Sequence, residues 1–275
     1  MTGIINRAKT FFMGKSMLMR FVLINAAVFL TVHIIALIAN ISDVNLPLAT
    51  WIELPPDFIT ALKRPWTFIT YMFTHYDVWH ILFNLLWLYC FGIVFLDHFS
   101  EKDFSTAYFA GGFAGAIFYL TGNALFPQIY SHGLLGASAA VLSIATATVV
   151  RAPNYRINLL LIGPVKIKWI AVACVAIALL TAGNNNIGGH IAHIGGIVAG
   201  FIIAYGYRAG WWKATATKKK AVILKPLHKY PVSSELTGKE AEKELDKLLI
   251  KIKRSGYNSL SAKEKEKLSE LSKKI

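Results

Sequence analysis

The 275-residue chain is 55% hydrophobic and only 16% charged, with a mean hydropathy of +0.48. A water-soluble domain of this length needs more polar surface, so lipid is the solvent for much of it. The formal net charge is +14, but residues 211–275 hold 17 of the 29 Lys and Arg against 8 of the 15 Asp and Glu. With no zinc-finger spacing, RNP-like aromatic motif or recognition-helix pattern beside it, this charge fits a cytoplasmic tail facing anionic lipid better than a nucleic-acid module.

The apolar residues gather into blocks about as long as a bilayer is thick. In chain order six spans are predicted, at about Phe21–Asn40, Val78–Leu96, Phe104–Thr121, Ala137–Val150, Ile167–Thr181 and His190–Tyr207. The expected fold class is all-α. A polytopic six-helix membrane bundle occupies residues 21–210, a basic cytoplasmic N-terminus residues 1–20, and a small basic cytosolic tail, helical or disordered, residues 211–275. The first apolar run is too long for a signal peptide and lacks a small-residue cleavage site, so it is expected to remain as a span. An even number of spans puts both termini on one side. That side holds Arg7, Lys9, Lys15, Arg20, Lys102, Arg151, Arg156, Lys166 and Lys168, while the other offers Lys63 and Arg64. By the positive-inside rule both termini are cytoplasmic.

The first outer loop, Ile41–Thr74, carries Trp51 and Trp66 and is expected to lie in the membrane interface. The last outer break, Ala182–Gly189, has three Gly and three Asn and is expected to move. In the tail, Leu245, Leu248, Leu249 and Ile252 recur at helical spacing. Ser261 with Glu264 forms a capping box ahead of Leu268 and Leu271. Cys90 and Cys174 sit inside apolar blocks and read as small buried hydrophobes, with no disulfide, metal site or cofactor motif implied.

Polar side chains are costly in a bilayer core, so each one there is a functional candidate. His80 and Asn84 lie four apart on one helix face, Ser138 opens the fourth span after Gly136, and His190 and His193 open the sixth. Ser138 precedes Arg151 by thirteen residues and Asn84 precedes Asp97 by thirteen, each ~20 Å of helix; His193 precedes Arg208 by fifteen, ~22 Å. Against a hydrocarbon core of ~30 Å, the hydroxyl, carboxamide and imidazole share one level. Serine needs a base, and histidine serves near neutral pH. The oxyanion then formed needs donors, which Asn84, His80 and the backbone N–H of Ser138 offer. No Asp or Glu in the spans completes a triad, so a Ser138–His193 dyad is expected. Gly111 with Gly115 and Gly196 with Gly200 form GxxxG pairs, read as close helix packing. His33, His98 and His190 are taken as structural or incidental.

These residues match a family. Gly136-Ala137-Ser138 resembles the GxS motif of rhomboid proteases, the run from Ala192-His193 to Gly200 resembles their AHxxGxxxG, and Trp79-His80 to Asn84 resembles their second-helix HxxxN. The resemblance covers about Phe21–Arg208. It implies an intramembrane serine endopeptidase with Ser138 as nucleophile, His193 as base, and His80 with Asn84 as oxyanion ligands. Its substrates would be single-span membrane proteins weakened by Gly or Pro near the outer end of the span, and its location a bacterial inner membrane. No oligomeric state is implied. Arg64-Pro65-Trp66 lacks the common Trp-Arg order of the family's interfacial loop, Ala139 stands where many members carry Gly, and Leu142 where some carry a Tyr beneath the histidine. Two alternatives are a catalytically inactive relative that binds transmembrane segments and a small transporter using His80, Asn84 and His193.

Overall fold

The computed structural model describes residues 14–127, 132–159, 163–181, 186–211, 245–252, 257 and 260–273. Part of the outer break at Ala182–Gly189, residues 182–185, lies outside the described residues, as do residues 1–13 of the basic N-terminus. The chain divides into two compact units, Met1–Thr217 and Lys218–Ile275.

In the first unit each predicted span is covered by a helix: α1 Met17–Ile41, α5 Val78–His98, α6 Glu101–Leu125, α7 Ser138–Arg151, α8 Ile167–Thr181 and α9 Ile187–Arg208. By length and composition α1, α5 and α9 are each sufficient to cross a membrane. Three short helices fill the first outer loop, α2 Leu48–Ile52, α3 Phe58–Lys63 and α4 Thr67–Thr70, followed by a 3-10 turn at Tyr71–Phe73. The helix starts are set by short polar side chains. Ser16 accepts from the N–H of Met19 ahead of α1, and Asp77 accepts from the N–H of His80 at 2.8 Å ahead of α5. Ser100 and Asp103 close a reciprocal capping box at α6. Each satisfies an amide that the helix leaves open, which matters more in lipid than in water.

One addition to the helical expectation is an antiparallel hairpin between α7 and α8, β1 Arg156–Leu159 with β2 Gly163–Lys166. Its alternation was lost in the sequence because a four-residue strand carries too short a period to stand out. Ile157 and Val165 face each other and pack on the bundle core.

Polar bonds inside the bundle tie α1 and α6 to the outer loop. Asn25, fully buried on α1, donates to the carbonyl of Phe21 and to Tyr108 Oη on α6; Tyr108 donates to the carbonyl of Met72. Tyr71 donates to the carbonyl of Gly112 on α6 at 2.5 Å. His33 and His98 each sit one turn from a helix carbonyl they contact, Phe29 and Val94, and serve structure. Cys90 and Cys174 are free thiols, the second buried.

Around α7 the packing is closest. A β-carbon on Gly196 would stand 2.1 Å from the carbonyl oxygen of Ala139, and one on Gly200 2.4 Å from that of Ser143. Here α9 meets the backbone of α7 directly, the contact that small-xxx-small patterns permit.

In the second unit, helix α10 at 245–252 and helix α11 Ala262–Lys273 enclose a small core of Leu248, Leu260 and Leu271, with Leu245, Ile252 and Leu268 packed against it. Ser261 and Glu264 exchange bonds as a capping box, and Lys251 pairs with Glu264 at 2.7 Å. Leu249, assigned from the sequence to the apolar face, is 48% exposed instead. It lies at the edge of the apolar face, about 100° around the helix from Leu248.

Gly200→Val should force α7 and α9 apart and destabilise the bundle by about 1–3 kcal/mol or more. A lowered thermal midpoint in detergent or nanodiscs checks this.

Candidate active site

The turn from His132 to Ala137 delivers the chain into α7, and it is held almost residue by residue. Tyr119 on α6 donates to the carbonyl of His132. Leu54 and Leu134 exchange both backbone bonds, at 3.0 and 2.8 Å, as an isolated bridge between the outer loop and the turn. Beside the bridge, the Glu53 carboxylate accepts from the Gly133 N–H and from Tyr76; burial nevertheless raises its pKa above the usual carboxylate value. The Gly136 N–H donates to the carbonyl of Tyr71 at 2.8 Å, and the Ala137 N–H donates to His75 Nε2 at 3.2 Å.

Gly136 adopts φ +107, a conformation costly for any residue with a β-carbon. Space gives a second reason for glycine. A β-carbon there would stand 2.8 Å from His80 Cε1 and 2.9 Å from His80 Nε2, with Ser138 Oγ 3.9 Å from the same point. The imidazole of His80 and the hydroxyl of Ser138 therefore flank Gly136 closely on one side of the turn.

Ser138 is the first residue of α7, preceded by Ala137 at the cap position with no side-chain cap. The first amides of the helix are consequently without intrahelical partners. Opposite stands His193, on the second turn of α9, with Nε2 2.7 Å from Ser138 Oγ. The glycine contact described above fixes this separation. Among the described residues no carboxylate is bonded to His193; its aromatic neighbour is His190, in edge contact at 6.1 Å between ring centroids. Leu142, one turn below Ser138, is buried. Asn84 is buried on α5 and donates from Nδ2 to the carbonyl of His80 at 2.9 Å, which uses one of its two N–H groups and leaves the second.

The four residues singled out from the sequence thus fall into two contacts. Ser138 and His193 share a hydrogen bond, His80 lies against Gly136 two residues before the serine, and Asn84 lies one turn below His80.

His75 was missed. It precedes the second span and so falls outside the segments searched for buried polar groups, yet it is fully buried. Its ring stands edge-on to that of His80 at 4.9 Å, with Nδ1 directed at the carbonyl of Phe73 and Nε2 at the Ala137 N–H. These partners select the tautomer protonated at Nδ1. Burial, and secondarily His80, pushes its pKa down to about 3, so Nε2 remains an acceptor. A histidine five residues ahead of His80, at the end of an apolar loop, was the available signal.

Comparison with known proteins bears on this arrangement. The rhomboid-domain family model matches residues 62–210, which contain every residue just described except Glu53 and Leu54. A second family model, of unknown function (DUF6576), matches residues 237–274. RHOMBOID-like protein 12, mitochondrial, of Arabidopsis thaliana is 31% identical over 144 residues, covering 47% of this chain and 43% of that protein. Rhomboid protease GlpG of Yersinia enterocolitica is 27% identical over 158 residues, 57% of this chain and 52% of its own. Presenilin-associated rhomboid-like protein A, mitochondrial, of Danio rerio is 26% identical over 149 residues, 51% and 37% of the two chains. The chain spans about half the length, or less, of these curated relatives. With apolar helices long enough to cross a membrane and a family match over more than half its residues, the chain belongs to the rhomboid family.

Proposed function

We propose that the protein is an intramembrane serine endopeptidase that cuts single-span membrane proteins near the outer end of the span. The observation that carries this reading is the 2.7 Å hydrogen bond between Ser138 Oγ and His193 Nε2 at the start of a buried helix. On this reading all six long helices cross the bilayer, both termini face the cytoplasm, and the membrane is the inner membrane of a bacterium. Helix α7 has 14 residues, ~21 Å, too short for the ~30 Å core, and its start at Ser138 leaves room above the serine for water and an extended peptide.

Ser138 Oγ attacks the scissile carbonyl carbon while its proton passes to His193 Nε2. The carbonyl oxygen, now anionic, faces the Ser138 N–H, the His80 ring and the second N–H of Asn84. Collapse breaks the C–N bond, and His193 returns the proton to the leaving amine. A water then attacks the acyl-enzyme with His193 again taking a proton, which passes to Ser138 Oγ as the acid product leaves.

His75 acts through position. With its N–H given to His75, Ala137 is fixed while the next N–H, that of Ser138, points on toward the oxyanion. A relative that binds spans without cutting them would need no such preorganised pair.

Ser138→Ala and His193→Ala should each lower cleavage of a reconstituted single-span substrate by on the order of a thousandfold or more. Labelling by a fluorophosphonate should vanish in Ser138→Ala; cleavage persisting in that variant would overturn the reading.

Asn84→Ala should lower kcat by on the order of 10²-fold with KM little changed, because the carboxamide meets charge that exists only in the transition state. Steady-state kinetics in proteoliposomes separate the two parameters.

For His75 the folded pKa lies below the unfolded value of 6.5. The unfolded chain therefore takes up a proton that the folded protein refuses, and stability falls as pH drops from about 6.5 toward about 3. His75→Gln, which keeps an acceptor and does not titrate, should flatten that fall in thermal midpoint. His75→Leu should lose about tenfold in kcat at neutral pH, since the Ala137 N–H is left buried and unpaired.

A further inference from the structure

The hairpin between α7 and α8 carries an unusual juxtaposition. Its register pairs Arg156 directly with Lys166, Ile157 with Val165 and Asn158 with Pro164. Directly opposed residues project from the same face with β-carbons only about 5 Å apart, and like charges in that position repel. Since Ile157 and Val165 pack on the core, the two cations stand together on the outward face, where Arg156 is exposed and Lys166 half-buried. Among the described residues neither forms an ion pair with a carboxylate. Residues 151–168 include Arg151 and Lys168 as well, with no Asp or Glu.

The platform beneath them is fixed. Tyr155 donates to the Asp97 carboxylate at 3.0 Å, its ring meets that of His98 edge-on, and its carbonyl accepts from the N–H of the fully buried Ile167 at 2.8 Å. Just beyond, on the first turn of α8, Trp169 is 58% exposed with Lys168 Nζ 5.2 Å from its ring centroid. An exposed tryptophan beside clustered cations at the end of a span is the composition of a headgroup-level surface.

We propose that Arg156 and Lys166 clamp the phosphodiester of an anionic phospholipid, with Trp169 at the boundary between its headgroup and acyl chains. The phosphate would lie between two cations that otherwise oppose each other, accepting from the Arg156 guanidinium fork and the Lys166 ammonium. This rests on α7 and α8 crossing the bilayer, and is independent of peptidase activity.

The test uses the full chain in nanodiscs of phosphatidylcholine alone and of phosphatidylcholine with phosphatidylglycerol, comparing thermal midpoints of the wild type, Arg156→Gln and Lys166→Gln. In the neutral discs each variant should melt above the wild type, because the repulsion is relieved. In the anionic discs the order should invert, by several degrees. Replacing Lys218, Lys219 and Lys220 with Gln should leave the response to phosphatidylglycerol intact, and inorganic phosphate added to neutral discs should not reproduce it. The proposal fails if the hairpin variants shift equally in both lipids, if the tail variant alone abolishes the response, or if inorganic phosphate substitutes for the lipid.

Discussion

The direct contact of α9 with the backbone of α7 is the constraint on which the rest turns. At Gly196 and Gly200 any side chain would occupy space already filled by carbonyl oxygens of α7. In lipid there is little hydrophobic drive to bring two helices together, so packing of this kind must supply the association. The same contact decides where His193 stands, one turn before Gly196, and hence that its Nε2 reaches Ser138. Packing and site geometry are here one interaction.

A second constraint comes from the outer loop. The segment Tyr71–His75 is bonded on one side to α6, through Tyr71 and Tyr108, and on the other to the turn before Ser138, through Gly136 and Ala137. Glu53 and Leu54 bind the earlier part of that turn. A loop that sequence composition suggested would simply rest in the interface thus braces the turn that leads into Ser138. Its Trp51 and Trp66 rings stack at 6.0 Å and the Trp66 N–H donates to the carbonyl of Trp51, so that indole is held within the loop itself.

The six long helices of the first unit were legible because apolar blocks of bilayer length stand out in sequence, whereas the three short helices of the outer loop were not. Ser138, His193, His80 and Asn84 were legible because a polar group in such a block is conspicuous. The hairpin and His75 were not. The hairpin is too short for its period to register, and His75 sits in a loop where a histidine draws no notice until its burial is known. The Leu54–Leu134 bridge joins residues eighty positions apart, and only the fold brings them together. The amphipathic reading of the tail placed Leu249 inward because its spacing from Leu245 and Ile252 is helical, yet it lies at the edge of that face, outside the small core of Leu248, Leu260 and Leu271.

The pairing of His193 with Ser138, unaccompanied by a bonded carboxylate among the described residues, has an electrostatic corollary. Transfer of a proton from one to the other, in the proposed reaction, creates no net charge within the bilayer. It makes a short dipole, positive on the ring and negative on the attacked oxygen, whose field decays much faster than that of a lone ion. A permanently ionised third member would instead leave a monopole in a poor dielectric throughout the resting state, at a desolvation penalty of several kcal/mol. Two neutral partners that separate charge only while a bond is changing suit a membrane interior better than three.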